Sequence, residues 1–175
     1  DTPLPMSETP LTLFDVLGGN AEFAGFDFSL AGEHGSYDGN GAEGVVDPAA
    51  DGTSADVRVR FQQGLPYLEA MRPEVRIQDY GTFLDGQGQL DFAGVSWAPQ
   101  VGWSESGVVE LIAGHIYVLA IYDETAPGSV HYAKLGVVGV DSGAGTVRIL
   151  WAYQLADGLP ELSVPEPRER EAVAA

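Results

Sequence analysis

VVELIAGHIYVLAIYDETAPGSVHYAKLGVVGVDSGAGTVRILWAYQL, residues 108–155, is the stretch whose reading decides the fold. It divides into four apolar runs rich in β-branched and aromatic residues, at 108–112, 115–122, 130–140 and 146–155. That is the composition and length of strands rather than helices. The separators Ala113-Gly114, Ala126-Pro127-Gly128-Ser129 and Asp141-Ser142-Gly143-Ala144-Gly145 are short turn formers. The four runs are therefore expected to follow one another as an antiparallel meander. In the last run Val147, Ile149, Trp151, Tyr153 and Leu155 share one face. Arg148, Leu150, Ala152 and Gln154 share the other, a less apolar set that fits a sheet packed on one side and partly covered on the other.

Upstream, glycine and proline punctuate short apolar runs at the spacing of further strands. Residues 11–17 and 22–30 read as two strands joined by Gly18-Gly19-Asn20 as a hairpin turn. In residues 56–62, Arg58 and Arg60 alternate with Val57, Val59 and Phe61, so this strand is half-buried with its guanidinium groups toward water. Residues 65–71 read as one or two helical turns stopped by Pro73, and strand rhythm resumes over 74–80 through Val75 and Ile77. Residues 90–97 alternate imperfectly around Gly94, the mark of a bulge. The expected fold is an all-β antiparallel sandwich of about 8–10 strands over residues 11–162. A proline-rich N-terminal tail (1–10) and a C-terminal tail (163–175) extend from it.

Bulk composition narrows the function classes. Asp and Glu number 26 against 8 Lys and Arg, a formal charge of −18. Such a surface repels phosphate backbones, so nucleic acid is an unsuitable partner. Cysteine is absent, which excludes disulfides, thiolate metal sites and a cysteine nucleophile. The longest apolar stretch, residues 108–122, is interrupted by Glu110 and His115, so no membrane-spanning helix is expected. The start Asp1-Thr2-Pro3-Leu4-Pro5 reads as a mature terminus left by signal cleavage, which places the chain outside the cell or at its surface.

Candidate chemistry is sparse. The histidines His34, His115 and His131 fall in separate segments without metal-ligand spacing. No Gly-x-Ser-x-Gly elbow occurs, so no serine is marked as a nucleophile and the chain reads as non-enzymatic. The long loop 32–54 gathers Asp38, Asn40, Glu43, Asp47 and Asp51 among glycines, and a second tip carries Asp85 and Asp91. Flexible oxygen donors of this kind suit Ca2+, while Asp, Asn and Gly are also plain turn formers. His34 at the mouth of the long loop, with Trp97 and Trp103 in or near loops, forms the candidate set for a haem or a carbohydrate ligand.

The segment His131-Tyr132-Ala133-Lys134-Leu135 through Gly145-Thr146-Val147-Arg148-Ile149-Leu150-Trp151-Ala152-Tyr153-Gln154, continued by Pro160-Glu161-Leu162, resembles a C-terminal hairpin of bacterial secreted proteins and lipoproteins. Among these, the HmuY-like haem-binding lipoproteins have a known function. The resemblance spans about 30 residues and implies a β-rich fold and export, with no ligand residue carried over. The leading expectation is an extracellular structural protein that assembles with itself through sheet edges or tails, as a filament or surface-layer subunit stabilised by calcium. Leu11, Leu13 and Val16 would then be a strand donated to a neighbour. The alternative is a haem- or carbohydrate-binding secreted module.

Overall fold

The computed structural model describes residues 4–34 and 40–164, without the side chain of His34. In chain order the strands are β1 (Leu11–Phe14), β2 (Gly25–Phe26), β3 (Val45–Val46), β4 (Val57–Gln62) and β5 (Leu65–Ala70). They continue as β6 (Val75–Thr82), β7 (Val108–Glu110), β8 (His115–Tyr122), β9 (Val130–Asp141) and β10 (Thr146–Tyr153). Among the described residues, one α-helix, α1 (Phe28–His34), and three single 3-10 turns complete the secondary structure. Two five-stranded sheets result, ordered β1-β10-β9-β8-β6 and β3-β2-β4-β5-β7, with every pairing antiparallel. The chain is an all-β sandwich. No described helix is long and apolar enough to cross a membrane.

The inward faces of both sheets form the main core, with Leu13, Phe26, Val57, Val59, Leu68, Ile77, Leu119, Leu135, Ile149 and Trp151 at its centre. A second apolar cluster lies on the opposite face of the first sheet. There Ile116, Val118, Ala120, Tyr132 and Ala152 pack beneath Leu4, Met6, Phe92, Val95, Ala98 and Leu162. The middle of the first sheet is thus covered on both sides. This explains why residues 116–121 are apolar without interruption, since strands sandwiched between two layers do not alternate.

Several local expectations change. Of the four runs, only β8, β9 and β10 form the meander. β7 pairs with β5 in the opposite sheet, because Ala113-Gly114 is a crossover between layers. The Gly18-Gly19-Asn20 turn joins no hairpin either. Val16 N–H donates to the Val59 carbonyl (2.9 Å), and Asp15 Oδ1 accepts from Phe61 N–H (3.0 Å), so the chain has left the first sheet for the second before reaching β2. Residues 22–30 hold a 3-10 turn, the two-residue β2 and the start of α1. The helix begins where Asp27 Oδ1 accepts Leu30 N–H (3.1 Å) and the Ser29 hydroxyl (3.0 Å), an N-cap that satisfies donors the first turn leaves open.

Residues 65–71, read as helical, form β5. Gln63 and Gly64 both adopt positive φ (54° and 81°), the twist a two-residue hairpin turn requires, and this fixes β4 against β5. Glu69 then lies between Arg58 and Arg60 at 2.8 Å from each, and these bonds hold its carboxyl below the ordinary range despite partial burial. Residues 90–97 form no strand, but a 3-10 turn over Phe92–Gly94.

The N-terminal segment is part of the body rather than a free extension. Ser7 N–H donates to the Trp151 carbonyl (2.9 Å), Tyr153 N–H donates to the Pro5 carbonyl (2.9 Å), and Leu4, Met6 and Ser7 are buried. Residues 165–175 of the expected C-terminal tail lie outside the described residues.

Candidate functional site

Two clefts flank the start of β6. The larger, about 700 Å³, opens at the end of the sandwich beside the N-terminus of α1. The β4–β5 hairpin brings Asp56 and Arg72 to its floor, although sixteen positions separate them in sequence. Asp56 is buried, and its carboxylate accepts the Arg72 guanidinium (2.8 Å) and Phe28 N–H (2.8 Å). Burial outweighs both partners and pushes the carboxyl up to about 6, with Asp27 adding repulsion. Asp27, Glu33, Asp123 and Glu124 also line the cleft, so carboxylates outnumber the Arg72 guanidinium and the His131 imidazole. Its field favours cationic groups over anions.

His131 stacks on Tyr153 with ring centroids 5.5 Å apart. Its Nδ1 lies 3.0 Å from the Gln154 carbonyl, which can only accept, so Nδ1 carries a hydrogen and donates it. Burial raises the Tyr153 hydroxyl above the ordinary phenol range. Asp123 is held low by Thr125, and Asp157 by Ser129 and the backbone of Val130.

The smaller cleft, about 610 Å³, is lined by residues 70–73, Val75, Arg76 and residues 103–107, on the open side of the sandwich. Trp103 lies here, half-buried and packed against the outer cluster. Trp97 behaves differently. It pairs with Glu161 in a lone bridge and stays 55% exposed. One of the two indoles therefore anchors the covering loop while the other stands on its surface.

Among the described residues the expected calcium ligands do not converge. Asp38 lies outside the described residues. The Asn40 side chain accepts Ala42 N–H (3.1 Å), and its carbonyl takes the Trp151 indole N–H (2.8 Å). Asp47 accepts Ala49 N–H (2.9 Å), and Asp85 accepts Gln87 N–H (2.8 Å) and Gln89 N–H (3.0 Å), so both serve as turn formers. Glu43 and Asp51 are exposed. Among the described residues no three His, Asp or Glu side chains are grouped to hold a metal.

Leu11 and Leu13 are buried in the domain's own core on β1, and Val16 is bonded to Val59, so the strand expected to be donated is already paired at home. His34 is the last residue of α1, and residues 35–39 lie outside the described residues. His115 bonds Asp79 (2.9 Å) and Thr82 (3.2 Å), a cross-strand contact between β8 and β6.

Lys134 is the residue sequence reasoning passed over. It is the chain's single lysine and is 0% exposed on β9. Its Nζ donates to the carbonyls of Phe92 (2.6 Å) and Val95 (2.7 Å) and lies 4.4 Å from the centre of the Phe92 ring. Burial pulls the amine down to about 7, while Asp91, one of the expected calcium ligands, acts in the opposite direction. The side chain pins the covering loop to the sheet. Its signal lay in the alternation of Tyr132, Lys134 and Gly136, which puts a lysine on a face whose neighbours are apolar.

The fold and its clefts define a two-sheet antiparallel sandwich with a covering layer on one face. No family model, curated protein or solved structure matches the chain.

Proposed function

We propose that this chain is a non-enzymatic structural domain working outside the cell, where it associates with further copies of itself through its covering layer. The observation that carries the reading is Trp97. Its indole is 55% exposed, Val101 on the same loop is 77% exposed, and Leu159, next to the residue 160 carbonyl that bonds Ala98, is 39% exposed. Apolar groups grouped on a surface mark a contact site more often than isolated ones do. The hairpin of β9 and β10, with its likeness to exported bacterial proteins, supports the location.

Contact between covering layers fits the sheet edges better than strand pairing does. Of the four edge strands, β1, β3 and β7 have 4, 2 and 3 residues, too short to template a neighbour, and the eight-residue β6 carries a bulge at Asp79/Gly81 and has its Ile77 carbonyl taken by Ser104 N–H. A formal charge of −18 makes copies repel one another, so association is expected to strengthen as salt screens the charge. Sedimentation velocity across a salt series tests this. Larger species at high salt, lost in Trp97→Ser, are expected; a monomer at every salt concentration rules the reading out.

A further inference from the structure

The groove on the open side of the sandwich is crossed by a strap, residues 103–107, tied to both sheets. Ser104 N–H donates to the Ile77 carbonyl on β6 (2.8 Å), and the Gly107 carbonyl accepts Ala70 N–H at the end of β5 (2.8 Å). The first of these bonds occupies a carbonyl of the edge strand β6 that an added peptide strand would need, which disfavours a peptide occupant. The space of about 610 Å³ falls in the range of small-ligand sites.

Arg76 stands on the groove wall. Its guanidinium lies 5.1 Å from the centre of the Tyr122 ring and has no ion-pair partner among the described residues. Arg58 and Arg60 share Glu69, and Arg72 holds Asp56, whereas Arg76, like Arg148, has no carboxylate partner among the described residues, and of these two Arg76 is the one that lines the groove. Trp103 supplies a flat apolar surface in the same groove, and the hydroxyls of Ser104 and Ser106, 3.2 Å apart, supply polar contacts.

We propose that this groove binds an acidic oligosaccharide, with a sugar ring stacked on Trp103 and a uronate carboxylate held by Arg76. Aromatic faces accept the C–H face of a pyranose, and a guanidinium matches a carboxylate in a two-bond fork. Glu105 also lines the groove, so it repels densely charged polyanions while leaving room for a single carboxylate at Arg76. This site is separate from Trp97 and does not depend on self-association.

Isothermal titration with an aldotriouronic acid, a trisaccharide carrying one uronate carboxylate, at physiological salt, where the chain's overall negative charge is screened, tests the assignment. Saturable binding is expected. Full methyl esterification of the sugar, or the exposed substitution Arg76→Gln, should weaken it about tenfold or more, the scale of a lost charge-assisted pair. Arg148→Gln, at a second exposed arginine, should leave it unchanged. Absence of saturable binding, equal binding of the ester, an unaffected Arg76→Gln, or an equal loss in Arg148→Gln would each overturn the proposal.

Discussion

Gly41→Ala offers a sharp test of how the core is built. Gly41 has φ +77°, and a Cβ placed there would lie 2.3 Å from Cζ2 of Trp151. The indole has no room to withdraw: it is fully buried, stands 5.9 Å from the Phe26 ring, and donates through Nε1 to the Asn40 carbonyl at 2.8 Å. Two costs therefore combine. A left-handed backbone with a Cβ costs about 1–2 kcal/mol. Overpacking a filled core adds about 1–3 kcal/mol. Gly52 separates them, because its φ is +69° but a Cβ there meets nothing within 4 Å. Gly52→Ala should carry the backbone cost alone. Urea denaturation followed by tryptophan fluorescence is expected to place Gly41→Ala about 1–3 kcal/mol below Gly52→Ala, read as a lower midpoint at unchanged slope. Two variants agreeing within about 0.5 kcal/mol would refute the contact between Gly41 and Trp151 as a packing constraint.

Asp56 carries a pH signature. Its carboxyl is raised from 3.8 to about 6 in the folded state, so the folded protein binds the extra proton, and this group's contribution to stability falls as pH rises through that window. Urea midpoints of Asp56→Asn between pH 4 and 7 should lose that component of the slope; an unchanged slope would show that Asp56 is not buried as described. Lys134 acts in the opposite sense. An amine lowered from 10.5 to about 7 leaves the unfolded chain with more protons, so its contribution rises from pH 7 to pH 10. Lys134→Met should flatten this rise and, by leaving the Phe92 and Val95 carbonyls without their donor, speed hydrogen exchange across the covering loop; exchange at the native rate would count against the pin.

The two sheets that enclose the core were legible wherever side-chain alternation or an unbroken apolar run set their strands, as in β4, β8, β9 and β10. What escaped was decided by contacts distant in sequence. Leu65, Leu68, Glu69 and Ala70 are individually good helix formers, yet the Gln63-Gly64 turn folds them back onto β4, where Glu69 meets two arginines. Tertiary pairing overrode local propensity. The run around Phe26 and Phe28 misled for a related reason: aromatic spacing fits a strand, but Asp27 caps a helix between them. Of the binding candidates, Trp97 and Trp103 were readable as loop aromatics, while the Asp56–Arg72 pair and the unpaired state of Arg76 exist only once the strands are in register. In the acidic loop the residues that suit a cation through oxygen are also the ones that close turns, and the bonds of Asn40 and Asp47 are turn bonds.

The confinement of Lys134 has a practical side. A reagent that attacks amines has a single lysine side chain to find in this sequence, and in the folded protein that nitrogen faces two carbonyls and a ring rather than solvent. Its labelling rate, followed on the peptide that holds Lys134 and so kept apart from the α-amine of the chain, is accordingly a clock for the lifting of the covering layer from the sheet, and an amine-reactive dye would report that local opening without any engineered probe.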